Sequence, residues 1–363
     1  MKILVVESGR TIGGGQIVTK EICNVLSEKN DVSILIPDLK SYQDFFKDIR
    51  QFKYRLRAYN RGKKSVIDLL KFLFNNVVLF FTFFRLFKKE KFDLIYVQHV
   101  SIIPILIIIL NFFRIKCIAH IHVVYSDKKT HNLLNRCLNK SLITKIVGVS
   151  YYAIEQFTIN DVSKTIVLRN PIKVINKQGA KTLSHTLAIV GDVIWNKGTH
   201  IAVNALKLLD DTYSLHIIGS CIDDEYLKCL LQDVDPKKIK VAGFVKNVPQ
   251  YLLDNNIDIV TVCSVIGFET FSLAMVEAWG LGIPTLATDG FGMKELVETY
   301  LPKYKNDMLF KCADHIDLAQ KIVNLENNQE YYHRLSNDLY EIVQEHLTMS
   351  KFRTDLNNLI ANI

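Results

Sequence analysis

The chain has 363 residues, of which 49% are hydrophobic and 23% are charged, and its formal net charge is +8. This composition excludes a disordered chain, a collagen-like fibre and a single small module, because it supplies apolar side chains for one large core or two ordinary ones. Residues 1–170 contain 27 basic and 13 acidic side chains, and residues 171–363 contain 18 and 24. The first half therefore carries +14 and the second −6, and the length predicts two domains.

Short apolar runs alternate with longer helical patterns, which predicts parallel sheets covered by helices. In the first half, a helix is predicted at 16–28 and strands are predicted at 2–6, 32–36, 94–98, 117–122 and 146–149. A second set of predicted strands lies at 166–168, 186–190, 214–218, 239–241, 257–262 and 285–287. We therefore predict an α/β chain with two Rossmann-like, doubly wound domains facing each other across a cleft, with ligands at the carboxyl ends of the strands.

Residues 170–184 are polar, contain Pro171 and Gly179 and lack a sustained period, so they are the predicted crossing between the domains. We predict an N-terminal domain at 1–168, a linker at 169–184, a C-terminal domain at 185–345 and a final helix at 346–363 that packs back on the N-terminal domain.

Two apolar stretches invite comparison with membrane spans. The stretch at 102–113 has only 12 residues, and the stretch at 69–87 contains Lys71, Asn75, Asn76 and Arg85, so buried or interfacial helices are predicted instead. The seven cysteines are scattered without a C-x-x-C pair, and the chain opens on a strand pattern without a signal-peptide leader. Reduced thiols and a cytoplasmic location are expected.

A glycine-rich turn and two histidines follow predicted strands of the first half. Gly13, Gly14 and Gly15 lead into a helix, where backbone N–H groups could contact a phosphate or simply make a tight turn. Dinucleotide binding is a weaker alternative because the glycines do not form G-x-G-x-x-G. His120 and His122 are expected on alternate faces of the sheet margin. We prefer His122 for a site because it lies further toward the carboxyl end, although either histidine could be structural.

Charged residues follow predicted strands in the second half as well. Lys197 stands beside Gly198 at a strand-to-helix junction, where it could neutralise a diphosphate leaving group or be a solvated loop lysine. Glu269 and Glu277 flank the start of a helix that Thr270 or Ser272 could cap. At 1.5 Å per residue they lie about 12 Å apart, too far for an acid/base dyad, so they must serve different ligand groups. Backbone amides at 271–274 would form an anion site between them.

These residues belong to a series of motifs that spans nearly the whole chain. The motifs are Gly13–Gln16, His122, Gly148–Ser150, Arg169–Ile172, Gly191–Gly198, Ile217–Gly219, Val241–Val245, Glu269–Glu277, Gly282–Pro284, Gly292 and Glu295. In this order they resemble the retaining nucleotide-sugar glycosyltransferase family 4, whose members have the GT-B architecture and an E-x7-E motif. The resemblance implies an acceptor-binding N-terminal domain and a donor-binding C-terminal domain.

The resemblance also implies residue roles. Glu269 and His122 would be the catalytic residues that orient the donor sugar. The implied donor-binding residues are Gly14, Gly15, Lys197, Val245, Phe271, Ser272, Leu273 and Glu277. Among them Glu277 would bind the ribose, and Lys197 and the amides near Ser272 and Leu273 would hold the diphosphate. No metal and no cofactor are expected, since a nucleotide-diphosphate sugar is the co-substrate.

Three features depart from this pattern or compete with it. Asp192 stands where the family commonly has an arginine, and Ser272 replaces a glycine. The sequence Asp233–Val234–Asp235 could suggest a metal site, but it lies before Pro236 in a predicted loop. A nucleotide-sugar epimerase of the same architecture and a non-catalytic nucleotide-sugar-binding subunit remain alternatives.

Residues 45–65 combine eight basic side chains with aromatic ones. Such a segment could lie on anionic lipid, attract nucleic acid or be a solvated helix face, and we favour the membrane over nucleic acid. We therefore expect a peripheral enzyme on the inner face of the cell membrane, with a glycan or lipid-linked surface-glycan precursor as acceptor.

Overall fold

A computed structural model describes residues 1–9, 11–55, 66–173, 182–265 and 267–363. The chain divides into two compact units. Unit 1 comprises Met1–Arg169 together with Arg353–Ile363, and unit 2 comprises Asn170–Phe352. Of the predicted linker, residues 174–181 lie outside the described residues.

Unit 1 contains one seven-stranded sheet in which all strands are parallel. Its strands are β1 (Lys2–Val6), β2 (Asp31–Pro37), β3 (Arg50–Tyr54), β4 (Leu94–Val97), β5 (Lys116–Ile121), β6 (Ile143–Gly148) and β7 (Thr165–Val167). Their order in the sheet is β3-β2-β1-β4-β5-β6-β7. The central strands read as continuous apolar runs because both faces of a parallel sheet are covered by helices.

The helices of unit 1 connect these strands. They are α1 (Gly14–Ser27), α2 (Lys40–Phe45), α3 (Val66–Lys89), α4 (Ile103–Phe113), α5 (Lys128–Leu138) and α6 (Tyr151–Glu155). Within the described ranges, no helix is both long enough and apolar enough to cross a membrane.

Unit 2 contains a six-stranded parallel sheet. Its strands are β8 (Thr186–Val190), β9 (Ser214–Ile218), β10 (Ile239–Gly243), β11 (Ile259–Val262), β12 (Thr285–Thr288) and β13 (Leu309–Phe310), in the order β10-β9-β8-β11-β12-β13. Its helices are α7 (Thr199–Leu206), α8 (Asp224–Leu231), α9 (Val248–Asp254), α10 (Leu273–Trp279), α11 (Phe291–Tyr300), α12 (Lys305–Met308), α13 (His315–Glu326) and α14 (Gln329–His346). The last helix, α15 (Met349–Ala361), begins in unit 2 and continues into unit 1.

The two parallel-sheet units confirm the prediction of two Rossmann-like domains. Three strands differ from the prediction. Strand β7 was expected in the second set, but it pairs with β6 and so belongs to the sheet of unit 1. Strand β3 was not predicted, because its sequence, Arg-Gln-Phe-Lys-Tyr, is that of a polar edge strand, and β13 is too short to give a pattern.

Candidate functional site

In unit 1, the glycine-rich turn forms the beginning of α1. Gly14 and Gly15 are the first two residues of the helix, and the Gln16 side chain accepts a 3.0 Å hydrogen bond from the N–H of Gly13. A Cβ atom built on Gly15 would meet no atom within 4 Å. The turn therefore leaves open space beside the first turn of the helix.

Glu7 stabilises the segment that leads into this turn. Its side chain is fully buried and lies at the end of β1. Its carboxylate accepts hydrogen bonds from the N–H of Gly9 at 2.6 Å and from the hydroxyl of Thr19 at 2.9 Å. It also forms a 2.9 Å ion pair with Nε2 of His99. Burial acts to raise the pKa of Glu7, but the hydrogen bond and charge of His99, followed by the other donors, lower it to about 2. Glu7 is thus a permanent anion at neutral pH.

The structure corrects the expected placement of the two histidines at the end of β5. His120 and His122 lie on the same side, with ring centroids 4.0 Å apart, because residues two apart on a strand share a face. His120 is fully buried and bonded to the Tyr96 hydroxyl, and burial lowers its pKa to about 3. His122 is partly exposed and bonded to Oε1 of Gln98 at 2.8 Å.

Burial, followed by the charges of His120 and His99, lowers the pKa of His122 well below its ordinary value. His122 is therefore a neutral imidazole at physiological pH. It can donate or accept a hydrogen bond, but it does not supply a positive charge. Its ring lies 6.3 Å from that of His99, so these groups and Glu7 form one polar cluster at the carboxyl ends of β1, β4 and β5.

In unit 2, a short turn at Trp195–Lys197 connects β8 to α7. Gly198 ends this turn with a φ of 72°, a left-handed conformation that favours glycine. A Cβ on Gly198 would lie 1.9 Å from the carbonyl oxygen of Cys263, so the turn approaches the end of β11 closely. The N–H of Val265 also donates to the Asn196 carbonyl at 3.1 Å. The loops after β8 and β11 are therefore locked together.

This contact brings together two residues that the sequence analysis assigned separately. The Lys197 ammonium group forms an ion pair with Oε2 of Glu269. The Ser264 hydroxyl lies 3.4 Å from the same oxygen. The N–H of Gly292 donates to the Glu269 carbonyl at 3.0 Å, and a Cβ on Gly292 would lie 1.9 Å from the Thr270 carbonyl oxygen. Both the side chain and the backbone of Glu269 are thus held at the carboxyl edge of the sheet.

Ser272 caps α10, as one of the two predicted alternatives, and its Oγ accepts a 3.3 Å hydrogen bond from the N–H of Met275. Phe271 is buried beside it, and Leu273 is the first helical residue. The fully buried Trp279 donates to the Thr285 hydroxyl at 2.8 Å, which anchors the other end of α10 to β12. The helix therefore has a fixed orientation relative to the sheet.

Glu277 lies within α10 and is largely buried. Burial raises its pKa to about 7, so an appreciable fraction of this carboxyl group is protonated at neutral pH. Burying a carboxyl group at such a position is unfavourable unless a partner compensates for it. The two glutamates therefore differ: Glu269 is paired with a cation, whereas the ionised form of Glu277 is destabilised by its surroundings.

Val245 and Asp192 complete the predicted set in unit 2. Val245 is half-buried two residues after β10, and Asp192 is exposed two residues after β8. Because all strands of this sheet are parallel, the segments that contain Asp192, Lys197, Val245 and Glu269 all follow strands at one edge. Among the described residues, no group of three His, Cys, Asp or Glu side chains could hold a metal ion.

Glu7, His99 and Ser264 lie in these clusters but were not predicted as site residues. Glu7 and Ser264 carry a weak sequence signal, since each follows or ends an apolar strand at the edge where ligands bind. His99 carries the same signal after β4, but nothing in the sequence indicates that it pairs with Glu7.

The two units, each built on a parallel sheet covered by helices, have the GT-B fold. Residues 172–341 match the model of a family described as glycosyl transferases group 1. Comparison with curated protein sequences gives no match.

Solved structures of low sequence identity share the fold over the whole chain. Alr3699/HepE of Anabaena, solved in complex with UDP, has a TM-score of 0.81 at 16% identity, with 100% of each chain covered. Sucrose-phosphate synthase from Thermosynechococcus elongatus has a TM-score of 0.78 at 14% identity, covering 99% of this chain and 98% of that one. The lipopolysaccharide outer core galactosyltransferase WaaB has a TM-score of 0.75 at 15% identity, covering 100% and 99%.

Proposed function

We propose that the chain is a retaining glycosyltransferase of family 4 that transfers a sugar from a nucleotide-diphosphate donor to a hydroxyl acceptor. The observation that carries this proposal is the Lys197–Glu269 pair, held between the loops after β8 and β11. It places a cation beside the carboxylate of the E-x7-E motif, where a diphosphate and its attached sugar would need them. The group 1 match of residues 172–341, which include both residues, supports this interpretation.

Each donor group has a proposed partner in unit 2. Lys197 and the backbone N–H groups of Phe271, Ser272 and Leu273 would bind the diphosphate, and Glu269 would orient the sugar. Glu277 would accept hydrogen bonds from the ribose hydroxyls, and Val245 would contact the base. Ribose hydroxyls would provide the partners that offset the burial cost of an ionised Glu277.

In unit 1, the proposed site residues are Gly14, Gly15 and His122. The open space beside Gly15 would admit a phosphate group, and the neutral His122 imidazole would share a hydrogen bond with a sugar hydroxyl. His99 and Glu7 would act as positioning residues, since Glu7 bonds both to His99 and to Gly9, which precedes the glycine-rich turn.

The proposed reaction uses no metal ion and no cofactor. Lys197 would offset the developing charge on the leaving diphosphate, which is the role that a divalent cation has in other transferases. Asp192, exposed at the position of the usual arginine, adds a negative charge near this edge. It favours one second candidate, a nucleotide-sugar-binding protein without transferase activity.

The proposed acceptor is a glycan or a lipid-linked surface-glycan precursor, reached by peripheral contact with an anionic membrane. The excess of basic residues in the first half of the chain supports this assignment. Of the basic segment 45–65, residues 50–54 form strand β3 rather than a helix, and residues 56–65 lie outside the described residues. A Lys47→Gln/Lys53→Gln variant, assayed for vesicle binding, tests the described part of that segment.

The test is donor hydrolysis by the full chain over a panel of nucleotide sugars, with and without EDTA. We expect slow, EDTA-insensitive release of nucleoside diphosphate from one donor class, with retained anomeric configuration by NMR once an acceptor is found. Donor binding without hydrolysis or transfer would instead favour the non-catalytic candidate. An isomerised nucleotide sugar formed without acceptor would identify an epimerase.

Two glutamate variants test the residue assignments. Glu269→Gln should lower kcat about a hundredfold or more, because the sugar-orienting carboxylate and its ion pair with Lys197 are lost. Glu277→Gln should raise the donor KM about tenfold or more, because a charged hydrogen-bond acceptor becomes neutral. Glu341→Gln, an exposed position on α14, is the matched control. Unchanged kinetics in both site variants would refute the assignments.

The pKa of Glu277 adds a pH signature to this test. Because the ionised carboxylate is the better acceptor, the donor KM of the wild-type enzyme should fall as the pH rises through about 7. Glu277→Gln should remove this dependence. A pH profile of KM that is identical in the two proteins would show that Glu277 does not titrate against the donor.

A further inference from the structure

Helix α3 has an apolar surface on its outward side as well as on its buried side. Its inner side chains, including Leu79, Phe83 and Phe87, are buried against the unit. Six further apolar side chains, spaced along the helix at intervals of one to four residues, are 50–75% exposed: Val66, Ile67, Leu70, Leu73, Val77 and Phe81. A surface helix normally presents polar residues on this side, so the exposed row requires an explanation.

The exposed row continues onto α4. Ile108 and Phe112, one turn apart on α4, are 58% and 69% exposed. The ring of Phe84 on α3 lies 5.7 Å from that of Phe112 and so joins the two helices. We call the surface formed by the six exposed α3 residues with Phe84, Ile108 and Phe112 the α3–α4 face.

Basic side chains border the α3–α4 face. Arg85, Lys88 and Lys89 are exposed in the last turns of α3, and Arg114 is exposed directly after α4. Lys88 lies over the ring of Phe84, with Nζ 5.6 Å from the centroid. Glu90, the first acidic residue beyond α3, is already engaged by Lys2 and Arg50. The border at this end therefore presents positive charge.

From this arrangement we propose that the α3–α4 face binds an anionic phospholipid membrane by lying within its interface. The apolar side chains would enter the boundary between headgroups and acyl chains, while Arg85, Lys88, Lys89 and Arg114 would contact lipid phosphates. A second copy of the chain fits less well, because it would bring a border of the same positive sign. The proposal rests on the membrane contact of the proposed function and deepens it, because it assigns that contact to a surface that contains none of the proposed donor-binding residues.

The first experiment is flotation of the full chain with vesicles of phosphatidylcholine alone or mixed with phosphatidylglycerol. Wild-type protein should float with the mixed vesicles. A Leu70→Gln/Val77→Gln/Phe81→Gln variant should bind at least about tenfold more weakly, because three exposed apolar side chains are lost from the contact. Its control is Leu208→Gln/Ile222→Gln/Ile316→Gln, at three exposed apolar positions of unit 2.

The second variant tests the contribution of the basic side chains that border the α3–α4 face. Arg85→Gln/Lys88→Gln/Lys89→Gln should reduce the preference for phosphatidylglycerol about a hundredfold, at about 1 kcal/mol for each of the three charges. Lys207→Gln/Lys228→Gln/Lys237→Gln, at exposed positions of unit 2, should keep that preference. Because all the variants alter exposed side chains, circular dichroism and unfolding curves should match those of the wild type.

Three outcomes would overturn the proposal. The first is negligible binding of the wild-type protein to both vesicle types, and the second is an equal loss of vesicle binding in the site and control variants. The third is a wild-type protein that binds no vesicles but forms dimers, which the apolar variant abolishes. Donor hydrolysis in vesicle-free buffer should be unchanged in every variant. Loss of the membrane proposal and loss of the proposed function are therefore distinguished by separate assays.

Discussion

Glu7 shows how one buried carboxylate can organise a site that it need not enter. Its carboxylate contacts Gly9, Thr19 of α1 and the His99 imidazole, and so joins the loop after β1, α1 and the loop after β4. A permanent anion in this position keeps the donors around it oriented, which is preorganisation rather than catalysis. Replacing it should therefore affect stability as well as the geometry of the turn.

The pKa of Glu7 gives a prediction for acid unfolding. Its folded pKa of about 2 lies below the ordinary value of 4.5, so its contribution is complete above pH 4.5 and is lost as the pH falls through about 2. Urea unfolding should show Glu7→Gln to be less stable than the wild type by up to about 3 kcal/mol at pH 7, with the difference shrinking toward pH 2. Glu155→Gln, at an exposed position, should show no such trend. A constant difference at all pH values would contradict the assignment.

The candidate site was predictable residue by residue but not as a set of contacts. Glu269 and Lys197 each follow a strand at the edge where ligands bind, and that position is readable from the pattern. Their ion pair depends on the close approach of two loops. Because the two residues are 72 positions apart in the sequence, no local pattern predicts that contact. The shared face of His120 and His122 was predictable, because residues two apart on a strand lie on the same face.

At the scale of elements, the turn at Trp195–Gly198 controls the position of Lys197. Gly198→Ala should lower the free energy of unfolding by at least about 2 kcal/mol, because a side chain is disfavoured at this φ and would clash with the Cys263 carbonyl. The measurement is urea unfolding combined with donor affinity. Gly290→Ala is the control, since a Cβ there meets no atom within 4 Å and its φ is extended. Equal stability of the two variants would show that the turn is adaptable.

Strands were predictable from the sequence where burial on both faces requires a run of apolar side chains. Strands β1, β8 and β9 have the predicted limits because runs of Val, Ile and Leu mark positions covered on both faces. Strand β3 escaped prediction because an edge strand needs no such run, and its sequence is dominated by charged and polar residues. Strand β7 was grouped with the second set of strands, although it lies within the predicted N-terminal domain at 1–168, because a strand pattern does not identify its neighbour.

At the scale of the molecule, unit 1 is completed by residues from the other end of the chain. Leu356, Leu359 and Ile360 of α15 are buried, Arg353 pairs with Glu28 at 3.0 Å, and Lys116 bonds to the Ile363 carbonyl. Leu356→Ala should therefore lower the free energy of unfolding by about 2–5 kcal/mol, measured in urea by the fluorescence of tyrosines. The exposed Asn358→Ala should change it by less than about 0.5 kcal/mol. A small effect at Leu356 would mean that α15 is dispensable to the core.

The charge asymmetry also belongs to this scale. The first half of the chain carries +14 and includes the basic border of the α3–α4 face, whereas the second half carries −6 and is proposed to bind an anionic donor. Under this proposal, local cations such as Lys197, rather than the net charge of the half, would hold the donor. The net charge of +8 shows neither the basic excess of the first half nor the acidic excess of the second.

The return of the chain to unit 1 also constrains the order in which the protein can mature during synthesis. Residues 1–169 leave the ribosome before unit 2, whereas the buried side chains of 353–363 that complete their unit are made after it. Unit 2 is continuous from Asn170 to Phe352, so it can finish folding before unit 1 does. Throughout that interval the nascent first unit lacks part of its core. The chain thus departs from the usual amino-to-carboxyl sequence of domain folding.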